Sequence, residues 1–329
     1  MLGLRSENLI SPKPDLSIVC IASKNGMISL SLKAAIFWFS ILVFCILPYS
    51  HATDKIVPLP VFHAGFYINA FSDIAIEDIE VALRFWTEKL ADQANYPSDT
   101  TVYESLDKMR TDFYQGKINF IVAPPLVFVN EFDLTQLTDG YKSLMHGTAF
   151  DTLIAVTHNQ SGIQDFSDVK NKQLLMLEHD ELMHMYLDVL TLEHFGKQSK
   201  QVFAKIRRSA KSSKMIYKLF FKKTDVILVY LQDYRLATEL NPQIKHQTHI
   251  IAELASIPRG LAFFHIRTDS QLRQDAIEEA EKLHTYPKGQ QLLNLFQADR
   301  MIRSSLSDLD TTRQLKQRYQ QLLKQYSLP

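Results

Sequence analysis

Hydrophobic positions along the chain fall into alternating blocks of two periods. Residues 61–68, Val-Phe-His-Ala-Gly-Phe-Tyr-Ile, read as a first strand. Ile76, Ile79, Leu83, Trp86 and Leu90 then recur at steps of three and four, one stripe of a helix. Asp73 is placed to cap that helix, and Glu77, Asp78 and Glu80 lie near its positive end. Ser105 opens a second helix through Leu106, Met109 and Phe113, and Gly116 stops it just past the last helical residue. Residues 118–122 form a short apolar strand. Ala123-Pro124-Pro125 follows, and two prolines cannot continue a central strand, so the chain turns there.

The pattern then repeats. Residues 153–157 read as a strand, a turn follows at Ser167-Asp168-Val169-Lys170, and 173–177 read as another strand. Leu182, Tyr186, Val189 and Leu192 stripe the next helix, which Gly196 ends. After a basic linker, 214–222 read as helical and 225–230 as the clearest strand of the chain. The last third holds a strand at 261–265 and helical stretches near 270–284, 288–298 and 311–326. Strands alternating with helices predict an α/β fold built on mainly parallel sheet with helices on both faces.

The first fifty residues break this pattern. Lys33 precedes an almost unbroken apolar run at 34–47, too short to span a bilayer as a helix, and Ser50-His51-Ala52 follows Pro48. A charged start, an apolar middle and a small-x-small end predict a secretory signal cut after Ala52, with Met27 an alternative start. The other reading of the run is an uncleaved membrane anchor. Cleavage would remove four basic and two acidic residues from 36 of each, leaving 32 against 34, a net charge of −2. That balance gives no footprint for nucleic acid. Both cysteines, Cys20 and Cys45, would leave with the signal, and a thiol-free mature chain suits an oxidising compartment.

The order of pieces is familiar. The run "SLDKMRTDFYQGKINFIVAPP", then "LIAVTHNQSGIQDFSDVKNKQLLML", then "KTDVILVYLQDYRLA" resembles the phosphate/phosphonate-type periplasmic solute-binding proteins. Gly116 to Pro125 matches the family's helix end and "D-I-A-x-x-G-P" strand. Residues 154–172, with Ser161-Gly162-Ile163, Phe166, Asp168-Val169-Lys170 and Lys172, match its "D-S-G-I-x-S-L-x-D-L-K-G-K" segment, and 224–229 match its "A-D-V-x-x-V" strand. The resemblance implies a two-lobed type 2 periplasmic binding protein fold with ligand in the cleft between lobes. It assigns 53–148 plus 250–329 to a first lobe and 149–249 to a second. It also implies a periplasmic monomer without cofactor, serving an ABC permease or a membrane sensor kinase.

In open α/β sheets ligands sit beyond the carboxyl ends of strands, at helix N-termini. The turns after Ile68, Val122, Leu177 and Tyr230 are therefore the expected ligand side. They offer Asn69, Phe71 and Ser72, then Pro124 and Pro125, then His179, Asp180 and Glu181, then Tyr230, Gln232 and Asp233. Relatives of the phosphonate type carry small hydroxyl residues where this chain has Glu178-His179-Asp180-Glu181. A carboxylate about 4 Å from an oxyanion costs on the order of 4 kcal/mol in a partly buried site, so the turn favours a cationic or amine-bearing solute. A ring beside carboxylates is also how ammonium groups are held. The competing reading is local: Asp180 caps the helix and Glu181 favours its first turn. Arg259, just before the 261–265 strand, is the cation expected near the cleft, either clasping an anion or lying in a surface turn.

The 178–184 cluster also admits a secreted metal-dependent hydrolase. His179 and His184 are five apart, about 500° of helical rotation, which leaves them off one face. A zinc site would need His179, Asp180 and a distant third ligand, and His184 is expected on the helix flank. No nucleophile elbow, Walker loop or dinucleotide fingerprint is present in the sequence.

Overall fold

The computed structural model describes residues 60–70 and 76–327. The apolar run at 34–47, the expected cut after Ala52, and Phe71, Ser72 and Asp73 lie outside them. Among the described residues no helix is long and apolar enough to cross a membrane.

Two five-stranded sheets organise the chain. The first contains β1 (Phe62–Tyr67), β2 (Ser98–Tyr103), β3 (Phe120–Val122), β4 (Leu137–Thr138) and β11 (Ala262–His265), in the order β2-β1-β3-β11-β4. The second contains β6 (Phe150–His158), β7 (Gln173–Leu177), β8 (Lys205–Ser209), β9 (Val226–Tyr230) and β10 (Thr248–Pro258), in the order β10-β6-β9-β7-β8. A separate antiparallel pair joins β5 (Gly140–Leu144) to β12 (Arg300–Ser304).

In each large sheet four of the five strands run in one direction, as expected of a mainly parallel sheet. In the first, β2, β1, β3 and β4 run one way and β11 opposes them; in the second, β10, β9, β7 and β8 run one way and β6 opposes them. Helical crossovers generate the parallel pairs, whereas the chain enters the second sheet on β6, against the other strands, and leaves it on β10, antiparallel to β6 and along the rest. These two pair from Phe150↔Pro258 to Thr248↔His158, with register shifts on the way. The supposed basic linker is also a strand. β8 pairs in parallel with β7 at the sheet edge, and its exposed Lys205, Arg207 and Arg208 are the charged residues an edge strand tolerates.

Fully apolar strands are sandwiched between helices, as their composition requires. One face of the first sheet packs Phe62, Phe66 and Phe120 against Leu83 and Trp86 of helix Ile76–Ala94 and against helices Ser270–Lys282 and Pro287–Leu295. The other packs Ile121 and Phe263 against Met109 and Phe113 of helix Leu106–Tyr114 and Phe128 of helix Pro125–Glu131. The second sheet is covered by helix Glu181–Phe195 on one face and by Ser212–Phe220 and Leu231–Leu240 on the other. Helix Asp310–Gln325, expected with the first lobe, instead sends Leu315 and Leu322 into the core of the second sheet beside helix Glu181–Phe195. Its stripe of leucines needs an apolar neighbour, and that helix supplies one.

The predicted stops act as stops. Ser105 Oγ accepts from the Lys108 N–H at 3.4 Å, Gly116 takes φ 73°, and Gly196 takes φ 63° while its N–H reaches the Leu192 carbonyl at 2.9 Å.

Candidate functional site

The carboxyl ends of β1, β3, β7 and β9 converge on one cavity of about 960 Å³. After β1 the chain makes a short 3₁₀ turn, where Asn69 Nδ2 donates to the Tyr67 hydroxyl at 3.1 Å. After β3, Pro124 breaks the strand and Pro125 becomes the first helical residue, where its missing N–H costs nothing. After β7, His179 takes φ 63°, a left-handed conformation that a β-carbon disfavours, and this reverses the chain so that Asp180 caps the next helix. Tyr230 ends β9 and begins helix Leu231–Leu240.

Asn69, Pro124, Pro125, His179, Asp180, Glu181, Tyr230 and Arg259 all line this cavity, although they come from both sheets. Gln232 is not on its wall. Its backbone N–H donates to Asp151 Oδ1 at 3.3 Å, whereas Asp233, offered by the same turn, does line the cavity. Phe71 and Ser72 fall outside the described residues.

A connected set of polar contacts runs across the floor. Asp180 Oδ1 accepts from the Met183 N–H at 2.9 Å, and Asp180 Oδ2 accepts from the Tyr230 hydroxyl at 2.9 Å. The Arg259 guanidinium lies over the Tyr230 ring at 4.9 Å and reaches Asp151 Oδ2 at 3.1 Å. The Asp151 side chain is only 2% exposed, and its other oxygen also accepts from the Thr152 N–H at 2.7 Å, so the buried charge is fully engaged. Burial pushes the Asp180 carboxyl above its ordinary value, while the Met183 N–H, Tyr230 and Arg259 pull it partly back. Burial, and then Asp180, push the Tyr230 phenol well above its ordinary value, so it remains a donor.

Three features of the wall escaped sequence reasoning. His184, expected as an ordinary flank residue, lines the cavity, and its Nε2 accepts from Arg208 Nη2 at 2.6 Å. Burial first, then Arg208, hold the His184 imidazolium below the usual histidine range. Arg208 is thus a second cation beside Arg259. It was hidden because β8 has only Ile206 as an apolar inward residue and reads as a polar linker. The third feature of the wall is Tyr319, on the C-terminal helix that swings across to the second sheet. Among the described residues no three His, Cys, Asp or Glu side chains form a group that could hold a metal ion.

A two-sheet α/β frame with a cavity at converging strand ends is shared by a known family. Residues 72–309, well over half of the chain, match the family model described as ABC transporter, phosphonate, periplasmic substrate-binding protein. The chain belongs to this family. No curated protein matches it. Among solved structures it is similar to a binding protein component of an ABC phosphonate transporter from Pseudomonas aeruginosa, at 11% identity and TM-score 0.55 over 82% of this chain and 89% of that one. It is also similar to PhnD1 from Prochlorococcus marinus in complex with methylphosphonate, at 12% identity and TM-score 0.53 over 79% and 98%. A Xanthomonas citri protein bound to ATP gives 10% identity and TM-score 0.56 over 80% and 98%. At these identities the solved structures establish the type 2 periplasmic binding protein fold, and the family establishes a substrate-binding component of an ABC transporter; neither supports the hydrolase reading.

Proposed function

We propose that the protein captures a small amine-bearing solute in the cleft between its sheets and hands it to a membrane permease. The observation that carries this is charge. Glu131, Glu178, Asp180, Glu181, Asp188 and Asp233 line the cavity against two arginines, Arg208 and Arg259. Glu131 is paired with Arg110 at 2.7 Å and Arg259 with Asp151, whereas Glu178 and Glu181 have no ion pair among the described residues. Net negative walls around a tyrosine ring favour an ammonium group by charge and by cation–π attraction.

The same geometry argues against a phosphonate. A helix N-terminus attracts anions through its free N–H groups, but at helix Glu181–Phe195 the Asp180 carboxylate already takes the Met183 N–H. An oxyanion placed there would meet a carboxylate instead of a hydroxyl. The similar proteins from Prochlorococcus marinus and Xanthomonas citri hold methylphosphonate and ATP, so the frame alone leaves the solute open. On this reading the protein is a periplasmic monomer whose leader ends at Ala52. Its lobes close about β6 and β10 by the hinge motion common to periplasmic binding proteins.

A thermal-shift screen of the purified protein against a solute library tests the proposal, with each hit repeated on Glu181→Gln. Stabilisation by amines that Glu181→Gln weakens about tenfold, about 1.4 kcal/mol, is expected. Stabilisation confined to phosphate or phosphonate would overturn it.

A further inference from the structure

Charge is segregated along the chain in a way that its overall balance hides. Between Glu193 and Asp225 lie ten lysines and arginines and no acidic residue; taking those ten from 36 leaves 26 cations against 36 acids elsewhere. The stretch runs through helix Ser199–Val202, strand β8 and helix Ser212–Phe220, successive elements at the β8 edge of the second sheet. Nine of the ten cations are exposed and Lys218 is half-buried. None of them forms an ion pair among the described residues. A merely solvated face intersperses both signs, and a run of one sign this long marks an interaction surface.

Helix Ser212–Phe220 indicates what that surface meets. It buries Met215, Ile216 and Leu219 in the core of the second sheet. Its other side presents Lys211, Lys214, Tyr217, Lys218 and Phe221, which recur at helical spacing. Phe221 is 62% exposed, and Tyr217 is exposed beside it. The adjoining helix Leu231–Leu240, packed over the same sheet face, leaves Leu236 exposed and Leu240 74% exposed. Large apolar side chains among unpaired lysines are the composition of a segment that lies on a membrane, with rings at the headgroup level and ammonium groups on the phosphates. Eight of the ten cations are lysines, point charges on flexible stems that can follow mobile headgroups. Only Arg208 of the ten lines the cleft. The others stand on a helix side and a sheet edge, a surface suited to many phosphates at once and not to enclosing one anion.

We propose that this face docks on a bilayer containing anionic phospholipid. Arg208, Ala210 and Ser212 line the cleft at one end of the face, so docking holds the cleft beside the membrane that carries the permease. The contact is independent of which solute the cleft takes.

Flotation of the protein from a periplasmic extract with phosphatidylcholine vesicles, with and without phosphatidylglycerol, tests this. Binding is expected only with phosphatidylglycerol. Raising salt from about 0.1 to about 1 M shortens the Debye length from about 10 to about 3 Å and should weaken binding at least tenfold. One lysine near an anionic surface is worth about fivefold in binding, so Lys214→Gln combined with Lys218→Gln should weaken it at least about tenfold. Lys108→Gln combined with Lys288→Gln, exposed on helices of the first sheet, should weaken it less than about threefold. Circular dichroism matching wild type confirms that each variant is folded. Phe221→Trp should add emission that shifts to the blue on phosphatidylglycerol vesicles, as a ring entering the headgroup region does. No flotation with phosphatidylglycerol, equal flotation with phosphatidylcholine alone, or equal losses in the two lysine pairs overturns the proposal. Retention on polyglutamate or duplex DNA without vesicle binding overturns it in favour of an acidic macromolecular partner.

Discussion

Asp180 joins the capping of one helix to the position of the Tyr230 ring, and replacing it separates those two roles. In Asp180→Ala the helix loses its side-chain cap, worth about 1 kcal/mol. The Tyr230 hydroxyl, now 2.9 Å from nothing, is left buried without its acceptor, at a cost of about 1–3 kcal/mol. Together the loss should be about 2–4 kcal/mol in urea unfolding followed by circular dichroism. Asp180→Asn keeps an oxygen for the Met183 N–H and an amide for Tyr230, so it should stay within about 1 kcal/mol of wild type. In a Tyr230→Phe background the stranded hydroxyl is absent, and Asp180→Ala should then cost only the cap, about 1 kcal/mol. The pH dependence has a fixed sign. Burial raises the Asp180 pKa above its ordinary 3.8 in the folded protein, so the folded state holds that proton more firmly than the unfolded chain. Stability from this group is complete below pH 3.8 and falls as pH rises through the higher folded value. Wild type should therefore lose stability relative to Asp180→Asn across that interval. Equal costs of Asp180→Ala in both backgrounds would refute the Tyr230 link, and parallel pH curves would refute the burial argument.

Gly140 on β5 is a close backbone approach: a β-carbon there would lie 2.3 Å from the Ala262 carbonyl oxygen, so Gly140→Ala should destabilise by at least about 2 kcal/mol in the same urea assay. His184 should titrate below the usual histidine value by NMR, and its contribution to stability, present above pH 6.5, should fade as pH drops through the lower folded value. Arg208→Ala should move that titration only part of the way up, because burial is the larger cause; a full return to the free value would contradict this. Mass spectrometry of the protein recovered from a periplasmic extract should give Thr53 as its first residue, and a mass retaining 34–47 would contradict the leader reading.

The α/β class, the family resemblance and the four ligand-side turns could be followed in the sequence because each depends on local signals. Hydrophobic stripes made the helices legible, and Pro124-Pro125 and Gly196 marked real boundaries. What failed was long-range. The reversed direction of β6 and β11 is set by how the chain passes between two sheets, which no local pattern records. The Lys205–Ser209 strand is stabilised by its partner β7, and its own composition reads as linker. The site divided the same way. Asp180 and Tyr230 were legible as residues after strand ends, but their mutual hydrogen bond spans fifty positions. Arg208 meets His184 only through the pairing of β8 with β7, and Gln232 and Asp233 could not be told apart by position along a helix turn.

Isothermal calorimetry with methylphosphonate and ethylamine, titrated separately into the same protein at one pH and low salt, tests the charge argument most directly. The acidic walls and the filled N-terminus of helix Glu181–Phe195 predict saturable binding of the amine and no measurable heat from methylphosphonate. Micromolar methylphosphonate binding with no response to the amine would contradict the account.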